Sequence, residues 1–427
     1  MNTSSPRSDA APLFPLRPVV LGAFVPTLVF EIGIGAMLPV VAVTATGRGA
    51  SLTVAGLIMA LLPIGKILTD LPAGALAARL GDRRAMLLAG GIAVAAFVTI
   101  ATTASLWGLG LGVLALGSSS AVFNLARHAY LTEITPPLRR ARVLSTLAGV
   151  HRIGLFLGPF AGAAVIAATS LRGAYWLGAV ASLAVVAILA VVQDEPRSPT
   201  PRWTRDRGGR DAPRTSVARV AREHRRLFCT LGVAVLLVSA VRGARQTVLP
   251  LWGEYQGFDP EVTSLLFGLS GALDMLLFYP AGKVMDRFGR LWIAVPSMLT
   301  MAAALAALPF AHSVASVAVV AALLGLGNGM GSGIIMTLGS DVAPPDVRPT
   351  FLGIWRLFQD TGDALGPLVL SGGIALGSIA AGIWVTAGLG VGSAGALLRW
   401  VPRYSEHANL TTRRAAAAAH DRDSPGG

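Results

Sequence analysis

Nine charged side chains interrupt stretches of sequence that are otherwise almost wholly apolar: Glu31, Lys66, Asp70, Arg152, Arg242, Asp274, Arg356, Asp360 and Asp363. A charge held against lipid at the centre of a bilayer costs about 2.5–3.5 kcal/mol. Nine of them would cost about 25 kcal/mol, beyond the ~5–15 kcal/mol margin of a typical folded state. These residues must therefore pair or line a wet cavity. The chemistry open to them is ion pairing, proton exchange and recognition of a polar or charged ligand. Lys66 with Asp70, and Arg356 with Asp360, have i,i+4 spacing and could also pair along one helix. Other chemistries find no residues. Cys229 is the one cysteine, so no intramolecular disulfide or thiolate cluster can form. No His–carboxylate metal spacing, nucleophile motif or phosphate-binding loop stands out. The chain is expected to be no enzyme and to need no cofactor or metal.

The stretches that carry these charges set the architecture. The chain has 427 residues, 53% hydrophobic and 13% charged, against about 25% charged in soluble domains. Twelve runs reach the roughly 17–25 apolar residues that span a bilayer. They cover 18–44, 52–78, 85–104, 106–131, 143–168, 174–193, 227–252, 261–285, 291–310, 315–340, 350–376 and 379–400. Backbone polar groups in hydrocarbon must be satisfied within the segment, so each run is expected to be a helix. The first apolar run exceeds the ~7–15 residues of a signal-peptide core. The expected fold class is thus an all-α membrane protein of twelve transmembrane helices.

Arginine fixes the expected orientation. One set of loops holds Arg79, Arg83, Arg84, Arg139, Arg140, Arg142, Lys283, Arg287, Arg290 and Arg348, and the 194–226 segment is arginine-rich; the opposite loops hold Arg48 and Arg172. Basic loops stay in the cytoplasm, which places both termini and the central linker there, in a multi-pass inner-membrane protein. The net charge of +13 sits in the gaps between apolar runs, with no basic face interleaved with aromatics. The implied partner is the lipid bilayer and not a nucleic acid. The divisions expected are an N-terminal six-helix bundle (1–193), a poorly ordered linker (194–226), a C-terminal six-helix bundle (227–402) and a tail (403–427) of similar character, with a short helix over Ala415 to Ala419.

An internal repeat relates the two bundles. An offset of 208 residues maps Gly74 on Gly282, Arg79 on Arg287, Gly81 on Gly289, Gly117 on Gly325, Pro136-Pro137 on Pro344-Pro345, and Gly154, Gly158 and Pro159 on Gly362, Gly366 and Pro367. Parallel repeats of this kind place substrate near the midplane, between the halves.

Two motifs carry a family resemblance. Gly74-Ala-Leu-Ala-Ala-Arg79-Leu-Gly81-Asp-Arg83-Arg84 lies between helices 2 and 3, and its repeat is Gly282-Lys-Val-Met-Asp286-Arg287-Phe-Gly289-Arg290. Both resemble the loop signature of the major facilitator superfamily. The helix-5 segment Gly154-Leu-Phe-Leu-Gly158-Pro159-Phe-Ala-Gly162, with Gly33, Gly35 and Pro39 on helix 1, resembles the twelve-helix drug/proton antiporters of that superfamily. The helix-4 arginine of that branch is absent, since Val113 stands four residues before Gly117. The first loop also departs, with Ala78 at the acidic position. The resemblance therefore implies an inner gate latched more strongly around Asp286.

In that superfamily helix 2 packs on helix 11, helix 5 packs on helix 8, and helices 1, 4, 7 and 10 line the cavity. The resemblance therefore implies two ion pairs between the halves, Lys66–Asp360 and Arg152–Asp274, which the repeat would exchange with reversed sign. It also implies a central cavity holding Glu31, Arg242, Arg245, Asp363, Asn124 and Asn328. Glu31 and Arg242 each lie eight residues before a proline, Pro39 and Pro250, and are expected at one depth. Glu31 is the first candidate for proton exchange: burial favours its neutral form and a nearby arginine its ionised form. Asp363 is the second. Arg127 and His128 are expected to snorkel at the interface.

The function implied is a monomeric secondary transporter that exports small lipophilic or amphipathic compounds by alternating access, in exchange for protons. An uptake permease for a small, anionic nutrient, and a non-transporting membrane sensor or accessory subunit, remain the alternatives.

Overall fold

A computed structural model of the chain describes residues 19–191 and 217–412; among them no strand occurs. Twelve long helices follow in order: α1 (Val20–Thr46), α2 (Leu52–Leu80), α3 (Asp82–Thr102), α4 (Leu106–Ile134), α5 (Pro137–Ala168), α6 (Gly173–Val191), α7 (Arg225–Gln256), α8 (Pro260–Phe288), α9 (Leu291–Phe310), α10 (Val314–Val342), α11 (Arg348–Leu376) and α12 (Ile379–Tyr404). Eleven are long and apolar enough to cross a membrane. The exception is α11, whose 29 residues include Arg348, Arg356, Asp360 and Asp363. It nonetheless packs in the bundle like the others, between α7, α12 and α2.

Local sequence explains the ends. Ser51, Ser105, Ser313 and Ser378 each cap the start of a helix at the end opposite the basic loops, their hydroxyls accepting from Val54, Gly108, Ser316 and Ala381 backbone N–H groups. At the basic end the chain turns sharply from α2 to α3 at Gly81 (φ 83°) and from α8 to α9 at Gly289 (φ 106°), the two glycines that the repeat equates. Only glycine adopts that backbone without strain.

The packing repeats as the sequence does. In the first half α1 packs on α5 and α6, α2 on α4, and α3 on α4 and α6; in the second, α7 packs on α11 and α12, α8 on α10, and α9 on α10 and α12. Two extensive contacts join the halves, α2 with α11 and α5 with α8, and smaller ones bring α7 against α1 and α2 and α8 against α1. Glycines set the close approaches. A Cβ on Gly158 would strike Ile32 O and Ala36 N of α1, and one on Gly366 would strike Ala240 O and Ala244 N of α7. Small residues let helices associate in this way where no hydrophobic force acts between them.

Two segments expected to be poorly ordered have structure. Residues Val217–Glu223 form a short helix against α11, because Val220 is buried there and His224 lies edge-on to Phe351. Residues after α12 also pack: the N–H groups of Arg290 and Leu291 donate to the carbonyls of His407 and Ala408 at 3.0 Å each. The Ala415 to Ala419 run lies outside the described residues.

Candidate functional site

Glu31 sits on α1 and is 3% exposed. His151 Nδ1 of α5 lies 2.8 Å from Glu31 Oε1, and Arg127 Nη1 of α4 lies 3.7 Å from the same oxygen. Arg127 does not snorkel to the interface as its position near the helix end suggested; it is 3% exposed, stacked over Phe123, which in turn stacks on Phe30. The Glu31 carboxylate is its compensating charge. His151 was not singled out in the sequence, though a signal exists: His151, Gly154, Gly158 and Gly162 follow the 3-4 spacing of one helix face, and the glycines of that face touch α1.

A second cluster lies on the seam around Asp274 of α8. Arg152 Nη1 approaches Asp274 Oδ1 at 3.4 Å and Arg245 Nη2 approaches Oδ2 at 3.5 Å. Asn328 donates to Oδ2 at 2.7 Å and Ser332 to Oδ1 at 3.3 Å. Arg152 also donates to Ser332 at 3.0 Å, and Arg245 to Ser270 at 2.8 Å. The arginines come from α5 and α7, so this cluster spans the two halves.

Lys66 and Asp360 line one small cavity of about 80 Å³ between the halves, with Asp363, Gln246 and Thr247. The ion pair of Asp360 is with Arg356 of its own helix, at 3.5 Å. Asp70 faces Asp360 across the seam. Asn124 accepts from His128 Nδ1 through its backbone carbonyl at 2.6 Å, and its side-chain oxygen is buried without a partner.

Glu31 and Arg242 do not share a depth. Gly154 packs on Leu28 and Glu31, and Gly362 packs on Leu236 and Ser239. The 208-residue offset therefore holds between α1 and α7, so Ser239 is the counterpart of Glu31. Arg242 lies three residues further along, about 4.5 Å of helix rise. The two prolines are not counterparts, since Pro39 and Pro250 are 211 residues apart, and Pro39 sits in a 3₁₀ turn (Leu38–Val40) whereas Pro250 lies within a continuous α-helix.

At the basic end two arginines of the signature loops bind within their own halves. Arg83 donates to the carbonyls of Leu189 and Ala190 at 2.8 and 2.9 Å, closing α3 on α6. Arg290 forks onto Asp341 of α10 at 2.9 and 3.3 Å and meets Asp286 at 3.1 Å. Burial disfavours the Arg290 charge, but Asp341 and Asp286 outweigh it and hold its pKa above the ordinary arginine value. Asp286, the expected centre of the latch, is largely exposed, and Asp341 is the buried partner. Arg287 lies over Phe288, and Gly282 has nothing near its Cβ position. Gly74 and Arg79 lie in the last turns of α2.

The family model described as "Major Facilitator Superfamily" matches residues 21–367 and, again, 231–421. The chain is 23% identical over 328 residues to the Uncharacterized MFS-type transporter YhjO of Bacillus subtilis (strain 168), covering 75% of this chain and 77% of that protein. Its fold is similar to the crystal structure of a D-xylose-proton symporter (TM-score 0.68, 15% identity, 91% and 98% of the two chains). It is also similar to that of the nucleoside transporter NupG (TM-score 0.69, 13% identity, 88% and 98%).

Proposed function

The chain belongs to the Major Facilitator Superfamily and is a multi-pass membrane transporter; from that premise we infer that it exports small lipophilic or amphipathic compounds in exchange for protons, with Glu31 as the proton-exchanging group. One observation carries the reading: a carboxylate buried in the first half is bridged to His151, which neighbours the seam-spanning Arg152. His151 can hand a proton to or take one from Glu31 over 2.8 Å, and its side chain is 31% exposed, which gives it a route to water. Glu31 itself has no such route. Proton exchange at Glu31 would change the balance of charge beside Arg127 and Arg152, and so bias the packing of α5 against α8.

The basic loops are assigned to the cytoplasm, following the excess of arginine there. Purified protein in vesicles with an imposed pH gradient tests the reading. A lipophilic compound should move against a proton flux, and Glu31→Gln should uncouple the two. Coupled transport that survives Glu31→Gln would sink the assignment of the proton site. Movement of substrate in the same direction as the protons would instead favour symport, the mode named for the D-xylose-proton symporter of the same fold.

A further inference from the structure

We propose that the transported molecule carries an anionic group, a carboxylate, sulfonate or phosphate, and that this group docks between Arg242, Arg245 and Arg152 at the break in α10. The proposal rests on the transport reading above and names the chemistry its site would accept.

Charge does not balance in this cluster. Three guanidiniums surround one carboxylate, Asp274, and the two that reach it do so at long range, 3.4 Å from Arg152 and 3.5 Å from Arg245. Asp274 is further occupied by Asn328 and Ser332. The other acid near Arg242 is Asp363. Nε and Nη2 of Arg242 and Nε of Arg245 are buried with no hydrogen-bond partner, and Arg245 is only 9% exposed. Buried guanidinium donors without partners are costly, and a bound anion would satisfy them.

The backbone beside them has the same preference. Helix α10 stops at Met330 and restarts at Ile334, with Gly333 at φ 83° and no side chain capping the new helix. The restarted helix, nine residues long, carries partial positive charge at its amino end. Arg242 Nη2 lies against this break, since a Cβ on Gly331 would sit 2.7 Å from it. The repeat offers a control within the molecule. The counterparts of Arg242, Arg245 and Gly331 are Ile34, Met37 and Phe123, and α4 runs unbroken from Leu106 to Ile134. At the equivalent place the first half therefore has neither counterpart of the two α7 arginines nor the break. Expelling an anion also runs with an inside-negative membrane potential, which agrees with the export direction.

The test uses full-length protein in a neutral detergent and follows thermal unfolding with octanesulfonate, octanoate and octyltrimethylammonium. The two anions should raise the unfolding temperature and the cation should not. Arg242→Gln should weaken the anion effect at least about tenfold, the loss of one charge-assisted hydrogen bond, and Arg242→Lys should restore part of it. If Arg242→Gln does not fold, Arg152→Gln, at a partly exposed seam position, should weaken anion binding likewise. Protection by the cation alone, or anion protection unchanged in whichever variant folds, overturns the proposal. The outcomes separate from the transport reading. Glu31-dependent proton exchange for a cation would leave the reading and remove the anion site, whereas anion protection without proton coupling would do the reverse.

Discussion

Thr46 donates to Glu254 Oε1 at 2.6 Å, and the two residues are 208 positions apart, the offset of the repeat. Equivalent positions of two repeats can touch only where the axis relating them passes. Thr46 and Glu254 therefore mark the pseudo-twofold axis at the end of the bundle opposite the basic loops. Gly56 of α2 packs there against Ser371 of α11 and Leu251 of α7, so this end is closed. Nearer the basic end, the seam arginines Arg152 and Arg356 have side chains 28% and 57% exposed.

Alternating access requires the Thr46–Glu254 contact to break when the opposite end opens. With Cys229→Ser as background, Thr46→Cys and Glu254→Cys together should be joined by a short bifunctional thiol reagent, and the joined protein should stop transporting. Glu254→Ala should raise thiol labelling of a cysteine at position 371. Full transport by the cross-linked protein would show that these ends do not part.

Burial makes Arg127 and Glu31 depend on each other. Removing one partner of a buried ion pair leaves an uncompensated charge and costs about 3–5 kcal/mol, whereas removing both is far milder. Arg127→Gln should therefore lower thermal stability strongly, and Glu31→Gln/Arg127→Gln should regain most of the loss. Equal stability of the single and double variants would mean that His151 alone compensates Glu31.

The helices and their repeat were legible because the bilayer permits few solutions and the glycine register is written at one offset, while the seam helices were implied by the family resemblance. Arg152 and Asp274 could be brought together only because the family resemblance implied that helix 5 packs on helix 8. Arg127 could not be placed, because distance from a helix end does not say which face a residue takes. Arg127 lies over Phe123, which stacks on Phe30 of α1, on the face that meets Glu31. The Thr46–Glu254 contact was hidden for a different reason: neither residue is unusual in type, and only the position of the axis gives them meaning. The order of residues 217–223 and 405–412 was missed because it depends on docking to α11 and to the α8–α9 turn, not on their own composition.

Two glycines on α11 should respond in opposite directions to one change. A Cβ at Gly366 would collide with backbone of α7, while one at Gly353 meets nothing within 4 Å. Gly366→Ala should force α11 off α7, costing about 1–3 kcal/mol or more as overpacking does, with a sharp drop in folded yield. Gly353→Ala should be neutral or stabilise by about 0.5–1 kcal/mol, the usual gain of alanine over glycine within a helix. Size-exclusion profiles and thermal unfolding in detergent would read both, and equal behaviour would refute the close approach of α7 and α11.

Arg290 ties three segments of the second half: the α8–α9 turn that carries it, the end of α10 through Asp341, and the chain after α12, where Ser405 Oγ reaches Asp341 Oδ2 at 3.3 Å. Its two acids are not equal. Asp341 accepts a forked pair in a largely buried setting, and hydrogen bonds to charged groups there contribute about 1.5–3 kcal/mol. Asp286 sits in the last turn of α8, across the Gly289 turn from Arg290, with a side chain 76% exposed, where an ion pair contributes about 0–1 kcal/mol. Asp341→Asn should therefore lower the unfolding temperature several times more than Asp286→Asn. Arg290→Lys should resemble Asp341→Asn, since an ammonium cannot reproduce the fork. Truncation after Tyr404 should produce a loss of its own, because it removes the carbonyls of His407 and Ala408 that accept from Arg290 and Leu291. A larger effect of Asp286→Asn than of Asp341→Asn would return the latch to the position that the loop signature suggested.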